Sequence, residues 1–401
     1  MREKKMREKK NYLLPKIIVA ISLGLLLGSG KMWGMDWEMP VLIVRIFVTF
    51  NSIFSQFLGF CIPLIILGLV APGIAELGKN AGKLLSITAL IAYGSTIFSG
   101  FFTYFSCVSI FPLLIEADPS IIQIKDTSLL LSPYFNIEMP PVFGVMTALI
   151  LSFMLGIGIA YTKGEILKGV ITEFKSIIEL VISHIIIPLL PLYIFGIFLN
   201  MSYSGSALTI IAVFGKVVGI VFILHILLLL FQFSIAGFIV KRNPLQLLYN
   251  MLPAYMTALG TSSSAATIPV TLRQAKKNGV KEEIADFCVP LCATIHLAGS
   301  TMKVVAMSLA ICILLGQPYD IGIFAGFILM LGIVMIAAPG VPGGAIMAAT
   351  GVLQSILGFE GDAIGLIIAL YIAIDSFGTA CNVTGDGAIA LIVDKINDRF
   401  A

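Results

Sequence analysis

Two short stretches decide the fold: Gly260-Thr-Ser-Ser-Ser-Ala-Ala-Thr-Ile-Pro269 and Ala338-Pro-Gly-Val-Pro-Gly-Gly-Ala345. Each sits at the centre of an otherwise apolar segment, 243–275 and 320–359 respectively. Pro and Gly remove helix hydrogen bonds and permit irregular backbone. At membrane depth such backbone persists only where protein or a water-filled cavity satisfies it. Each segment therefore reads as a re-entrant helical hairpin with its tip inside the membrane, and a spanning helix follows each one. The order hairpin, helix, hairpin, helix is an internal repeat. Interrupted segments in corresponding positions point to the binding site of a secondary transporter.

The rest of the chain fits a bilayer. Of its 401 residues, 58% are hydrophobic and 12% charged, with a mean hydropathy of +1.04. A soluble domain carries roughly 25% charged residues, so the composition specifies an all-helical integral membrane domain with no separately folding soluble part. Spans are expected near 12–34, 41–73, 82–115, 141–162, 172–200, 206–240, 284–316 and 362–394, eight in all. Several exceed the ~20 residues needed to cross, so they must tilt or bend. Lys79, Lys83, Lys163, Lys168, Lys175, Lys241, Arg242, Lys276, Lys277, Lys281, Lys395 and Arg399 fall on one side, whereas the opposite connections carry only Lys125. The positive-inside bias then makes both termini cytoplasmic, in a plasma or inner membrane. The first hairpin enters from the cytoplasm and the second from outside, an inverted repeat. The basic start duplicates five residues, so Met1 and Met6 are both possible initiators; with the apolar run that follows it, it reads as an uncleaved anchor. No pattern for nucleic-acid binding is present. The six cysteines lie in or beside apolar stretches and read as small buried hydrophobes.

Within the last span comes Asp375-Ser-Phe-Gly-Thr-Ala-Cys-Asn-Val-Thr-Gly-Asp386. An ionised group near the bilayer centre costs on the order of 3 kcal/mol or more, so it usually faces a pathway, a partner or an ion. At about 100° per residue, Asn382 and Asp386 fall roughly 20° either side of Asp375, on one helix face. A polar stripe about three turns long suits a site for a substrate and an ion. No nucleophile–base pair or metal cluster converges by spacing, which argues against a membrane enzyme. A dedicated channel would call for a continuous polar pore.

The serine-rich first tip, the Pro-Gly-rich second tip and Asn382-Val-Thr-Gly-Asp386 resemble the dicarboxylate/amino acid:cation symporters over nearly the whole chain. The resemblance implies a homotrimer with elevator-type transport. Residues 1–80 and 141–205 would form scaffold helices 1–2 and 4–5. Residues 81–115 would form transport-domain helix 3, and 206–401 the transport core. It also implies that Asp375 holds the substrate's α-amino group and that Thr379, Asn382 and Ser300 are polar substrate ligands. Ser263 and Ser264 with the neighbouring tip backbone would clamp the α-carboxylate, and Gly340, Val341, Pro342 and Gly343 would form the external gate. Asp386, Asn382, His296 and Thr294 would serve sodium sites, Thr294 from a strand-like break in the seventh span. Sodium is the coupling ion so implied, with no organic cofactor.

Three departures from the family pattern bear on cargo and coupling. Gly378 stands where acidic-substrate members carry an arginine, and a side-chain carboxylate loses its natural partner without that guanidinium. The tip Ser262-Ser-Ser-Ala-Ala also looks like the serine/threonine branch. Both favour a small neutral amino acid such as serine, threonine or alanine. Ala298 replaces an aspartate of a third sodium site, although Ser95 and Thr96 could retain part of it, so no more than two sodium ions are expected. His296 replaces an asparagine, and since histidine as a residue type can change charge near neutrality, the position reads as a passive hydrogen-bonded residue or a proton carrier. Lys303, seven residues on and on the same face, could repel sodium, pair with an aspartate or receive a substrate carboxylate. The last option would bring back a proton- or sodium-coupled carrier of glutamate, aspartate or dicarboxylates. His184 and His225 read as passive.

Overall fold

Long apolar runs satisfy their own backbone only as helices, and the first half of the chain is built of them. The computed structural model describes residues 13–30, 36–79, 83–115, 131–162, 164–205, 207–338 and 343–398. Helices α1 (Leu13–Gly28), α2 (Val41–Lys79), α3 (Lys83–Leu114) and α4 (Val145–Thr162) come first. Helix α5 (Glu165–Val181) continues through a single π turn, Ile182–Ile186, into α6 (Ile187–Tyr203), and α7 (Ala207–Val240) follows. At 39 residues, α2 would be about 58 Å long, nearly twice the ~30 Å hydrocarbon core, so tilt or protrusion is required.

The second half is broken helices. The first hairpin comprises α8 (Pro244–Asn250), α9 (Leu252–Thr261) and α10 (Ser264–Lys277). Its tip turns at Ser262, which is left-handed (φ 49°), and the Ser263 hydroxyl accepts the Ala266 N–H at 3.3 Å, capping α10. The seventh span is α11 (Glu282–Ile295) and α12 (Ala298–Leu314), separated by His296 and Leu297 with φ of −107° and −121°. The second hairpin pairs α13 (Ile321–Ile336) with α14 (Gly344–Leu357), and Gly343 enters α14 with φ 73°. Helices α15 (Gly361–Ala373) and α16 (Asp375–Asp398) meet at a 62° bend.

The described residues are helical, as expected, and two stretches break near the expected hairpin tips. Among the described residues five helices are long and apolar enough to cross a membrane, and α15 with α16 makes a sixth when counted as one bent span. Helix α1, expected over 12–34, ends at Gly28 with 16 residues. The eighth span, expected as a continuous helix over 362–394, is broken at Ile374, beside Asp375, whose contacts are described below. The hairpin expected over 243–275 has an additional break at Met251, two residues before Pro253, which has no N–H to continue a helix. The gate residues Gly340, Val341 and Pro342 lie outside the described residues.

Packing separates the helices into two sets joined by a shared core. Helices α2, α4, α5 and α6 pack together with α1, whereas α3 and α7 pack with α12 and α16. Small residues permit the closest approaches, as in membrane bundles generally. A Cβ at Gly28 would lie 2.6 Å from the Leu199 carbonyl oxygen, so α1 and α6 touch backbone to side chain. Helix α12 is buried along its whole length, which places it at the centre of the molecule.

Candidate functional site

Helices α12 and α16 run antiparallel, and their polar residues pair like rungs. At the first rung the Lys303 ammonium donates to Asp375 Oδ1 at 2.9 Å. At the second, Asn382 Oδ1 accepts the backbone N–H of Gly299 at 2.7 Å and of Ser300 at 3.3 Å, while its Nδ2 donates to Ser300 Oγ at 3.0 Å. At the third, His296 Nδ1 and Asp386 Oδ1 are 2.9 Å apart. Moving from 375 to 386 along α16 therefore runs from 303 back to 296 along the seventh span. The single face read for Asp375, Asn382 and Asp386 thus meets one partner element.

Each rung has a local cause. Asp375 opens α16, where the helix dipole and free N–H groups favour a carboxylate. Its Oδ2 accepts the Gly343 N–H at 2.9 Å, which ties the second hairpin to the same residue. Lys303 Nζ also lies 3.6 Å from the centroid of the Tyr371 ring, a cation–π contact. Asn382 serves the orphan N–H groups in the first turn of α12, so a residue from another helix caps it. Thr379 donates its hydroxyl to the Asp375 carbonyl oxygen at 3.0 Å, within α16 itself. His296 is held from its other side, since Nε2 lies 3.0 Å from Ser95 Oγ, which in turn accepts from Gln232 Nε2 at 2.9 Å. A neutral imidazole protonated on Nδ1 satisfies that chain, with Ser95 donating to Nε2 and Nδ1–H donating to Asp386.

The cluster is dry. Lys303 and His296 are 0% exposed, Asp386 1% and Asp375 6%. Each carboxylate has an internal partner, as buried charge requires. Two glycines allow the backbones to approach. A Cβ at Gly378 would lie 2.6 Å from Lys303 Nζ, and one at Gly299 would lie 2.8 Å from the Gly378 carbonyl oxygen.

The structure brings together Asp375, Gly378, Thr379, Asn382, Asp386, His296, Ser300, Lys303 and Gly343. Ser263 and Ser264 lie at the start of α10, and α9 and α10 both pack against α16. Thr294 is not gathered in. It sits one turn before the break on α11, exposed, with its hydroxyl donated to the Leu291 carbonyl at 2.7 Å. Thr294 thus lies on α11, which remains helical through Ile295, rather than within the break where the sequence reading put it. His225 donates from Nε2 to the Gly299 carbonyl at 3.0 Å, the passive role read for it. Gln232 and Tyr371 were missed. Gln232 is a lone amide in a long apolar span, and Tyr371 lies one helical turn before Asp375, so both had a signal. All six cysteines are buried and free.

Apolar spanning helices, two broken hairpins and a buried cluster of paired charges at helix breaks define a polytopic membrane protein with a polar centre. The pattern of the sodium:dicarboxylate symporter family matches residues 13–396, and the chain belongs to that family. It is a multi-pass membrane protein of a family named for sodium-coupled symport. Excitatory amino acid transporter 3 of Mus musculus is 34% identical over 162 residues, 40% of this chain and 31% of that protein. Excitatory amino acid transporter 5 of Homo sapiens is 34% identical over 160 residues, 40% of this chain and 28% of that protein. The aligned region thus spans under a third of these relatives' own length.

Proposed function

We propose that the protein imports amino acids on a sodium gradient, binding them between the two hairpin tips and the N-terminal half of α16. The observation that carries this reading is Asp375, whose carboxylate is shared between Lys303 and the Gly343 N–H of the second hairpin. A group that binds there is felt by the gate. Asp375, Thr379, Asn382 and Ser300 would contact cargo with Ser263, Ser264, Val341, Pro342 and Gly343 of the tips. Asp386, Asn382 and His296 would serve sodium, a hard cation suited to oxygen ligands.

The larger assembly follows the same reading. Helices α1, α2 and α4–α6 would be the scaffold of a homotrimer, and the remainder would move as an elevator through a plasma or inner membrane, with both termini cytoplasmic. The separate packing of the two helix sets supports this division.

Two cargo readings remain in play. A small neutral amino acid is the reading drawn from Gly378, which lacks an arginine. An acidic amino acid or dicarboxylate is favoured by a specific observation, the Lys303 ammonium lying against Gly378. One proteoliposome panel tests both, comparing serine, threonine, alanine, aspartate, glutamate and succinate under separate sodium and proton gradients. Saturable accumulation that collapses without sodium is expected. Currents without accumulation would favour a channel, and accumulation on a proton gradient alone would replace sodium as the driver.

A further inference from the structure

Gly378 and Lys303 are complementary in shape. Residue 378 lies three positions after Asp375 on α16, and any Cβ there would meet the lysine, 2.6 Å from Nζ and 3.1 Å from Cδ. The space beside Asp375 that a side chain of α16 would take is filled by a cation arriving from α12. The absence of a side chain at 378 is therefore not an absence of positive charge at that point.

The ammonium also has bonding capacity to spare. A lysine carries three N–H donors. Asp375 Oδ1 takes one at 2.9 Å, and the Tyr371 ring faces Nζ at 3.6 Å without accepting as an oxygen does. The Asp375 carboxylate is not devoted to Lys303 either, because its Oδ2 holds the Gly343 N–H. When that tip moves, the oxygen and the ammonium beside it become reachable together. A neutral side chain has no use for the remaining donor, whereas an anionic one satisfies it.

We propose that Lys303 is the specificity-determining cation of this chain: delivered from α12 into the space left open by Gly378, it receives a second carboxylate on the cargo. The proposal rests on the symport reading above and names its cargo class as molecules with two carboxylates. Acidic amino acids and amine-free dicarboxylates share that chemistry. The alternative is a lysine that only neutralises Asp375, which would leave cargo preference untouched.

The test uses the full chain in proteoliposomes under an inward sodium gradient, with KM measured for aspartate, succinate and alanine. The protein is compared with Lys303→Met, Lys303→Arg, Gly378→Ala and the double variant Lys303→Met with Gly378→Arg. Losing a charged hydrogen bond to cargo should raise the KM for the diacid, relative to alanine, roughly 10- to 100-fold in Lys303→Met. Lys303→Arg should keep most of the preference. The double variant, which returns the cation from α16, should recover it in part. Gly378→Ala keeps every charge but pushes Nζ aside, so its ratio should move the same way as that of Lys303→Met. If Lys303→Met does not fold, Gly378→Ala carries the test alone. An unchanged diacid-to-alanine ratio in the folded variants overturns the proposal, as does a parent protein that carries alanine but neither diacid on sodium. Sodium-independent behaviour towards all three cargoes would instead overturn the symport reading. Preference for aspartate over succinate, or the reverse, shows whether the second carboxylate arrives with an amine.

Discussion

Replacing Asn382 by alanine removes the cap of a helix without touching that helix. The first N–H groups of α12, those of Ala298, Gly299 and Ser300, precede its first intrahelical bond, which Thr301 makes to the Leu297 carbonyl at 2.9 Å. Asn382 Oδ1 takes Gly299 N–H at 2.7 Å and Ser300 N–H at 3.3 Å. Alanine would leave both buried donors without that partner, and a buried unsatisfied group costs ~1–3 kcal/mol. The 3.3 Å contact is the weaker, so a loss of about 3 kcal/mol is expected, roughly a hundredfold in the folding equilibrium. Asn382→Asp keeps the acceptor and adds negative charge at a helix N-terminus, so it should lose much less. Thermal unfolding of the purified protein in one detergent, at fixed sodium and without cargo, separates this role from cargo binding. Alanine should melt lowest and aspartate between it and the parent. An alanine variant as stable as the parent would refute the capping argument.

Three other outcomes follow from the same contacts. Asp375→Asn leaves a buried ammonium with a neutral amide in place of its counter-charge, so amino-acid uptake should be lost and stability should fall by ~3–5 kcal/mol; Lys303→Met added to it should restore most of the melting temperature. Gly299→Ala drives a methyl towards the Gly378 carbonyl oxygen and must part α12 from α16, at a cost of ~1–3 kcal/mol read by the same melts. Ser95→Ala takes away the hydroxyl that joins Gln232 to His296, so the sodium dependence of uptake should shift while the cargo KM at saturating sodium holds.

The breaks were legible because Gly and Pro act locally, wherever the rest of the chain lies. Ser262–Ser263 and the α13–α14 turn carry their own backbone chemistry, and helical spacing alone put Asp375, Asn382 and Asp386 on one face. Partners across helices were not legible, because spacing fixes a face but not the helix it meets. Gly378 is the clearest case. In sequence it is a missing arginine, while in space it is the seat of Lys303. The bend at Ile374 has no Gly or Pro within it to announce it, and it sits beside Asp375, whose carboxylate bonds to Lys303 and Gly343. Pro253, by contrast, did signal the extra break at Met251 within the first hairpin.

The rungs between α12 and α16 are three, whereas the described bond from the second hairpin to Asp375 is a single N–H. A charge-assisted hydrogen bond of that kind contributes ~1.5–3 kcal/mol, within reach of thermal opening on the timescale of a transport cycle. Shearing the ladder would strand two carboxylates at once and cost several times more. The molecule therefore has a seam and a spine. Among the described contacts, the bond from the second hairpin to Asp375 yields at lower cost than the ladder between α16 and the seventh span.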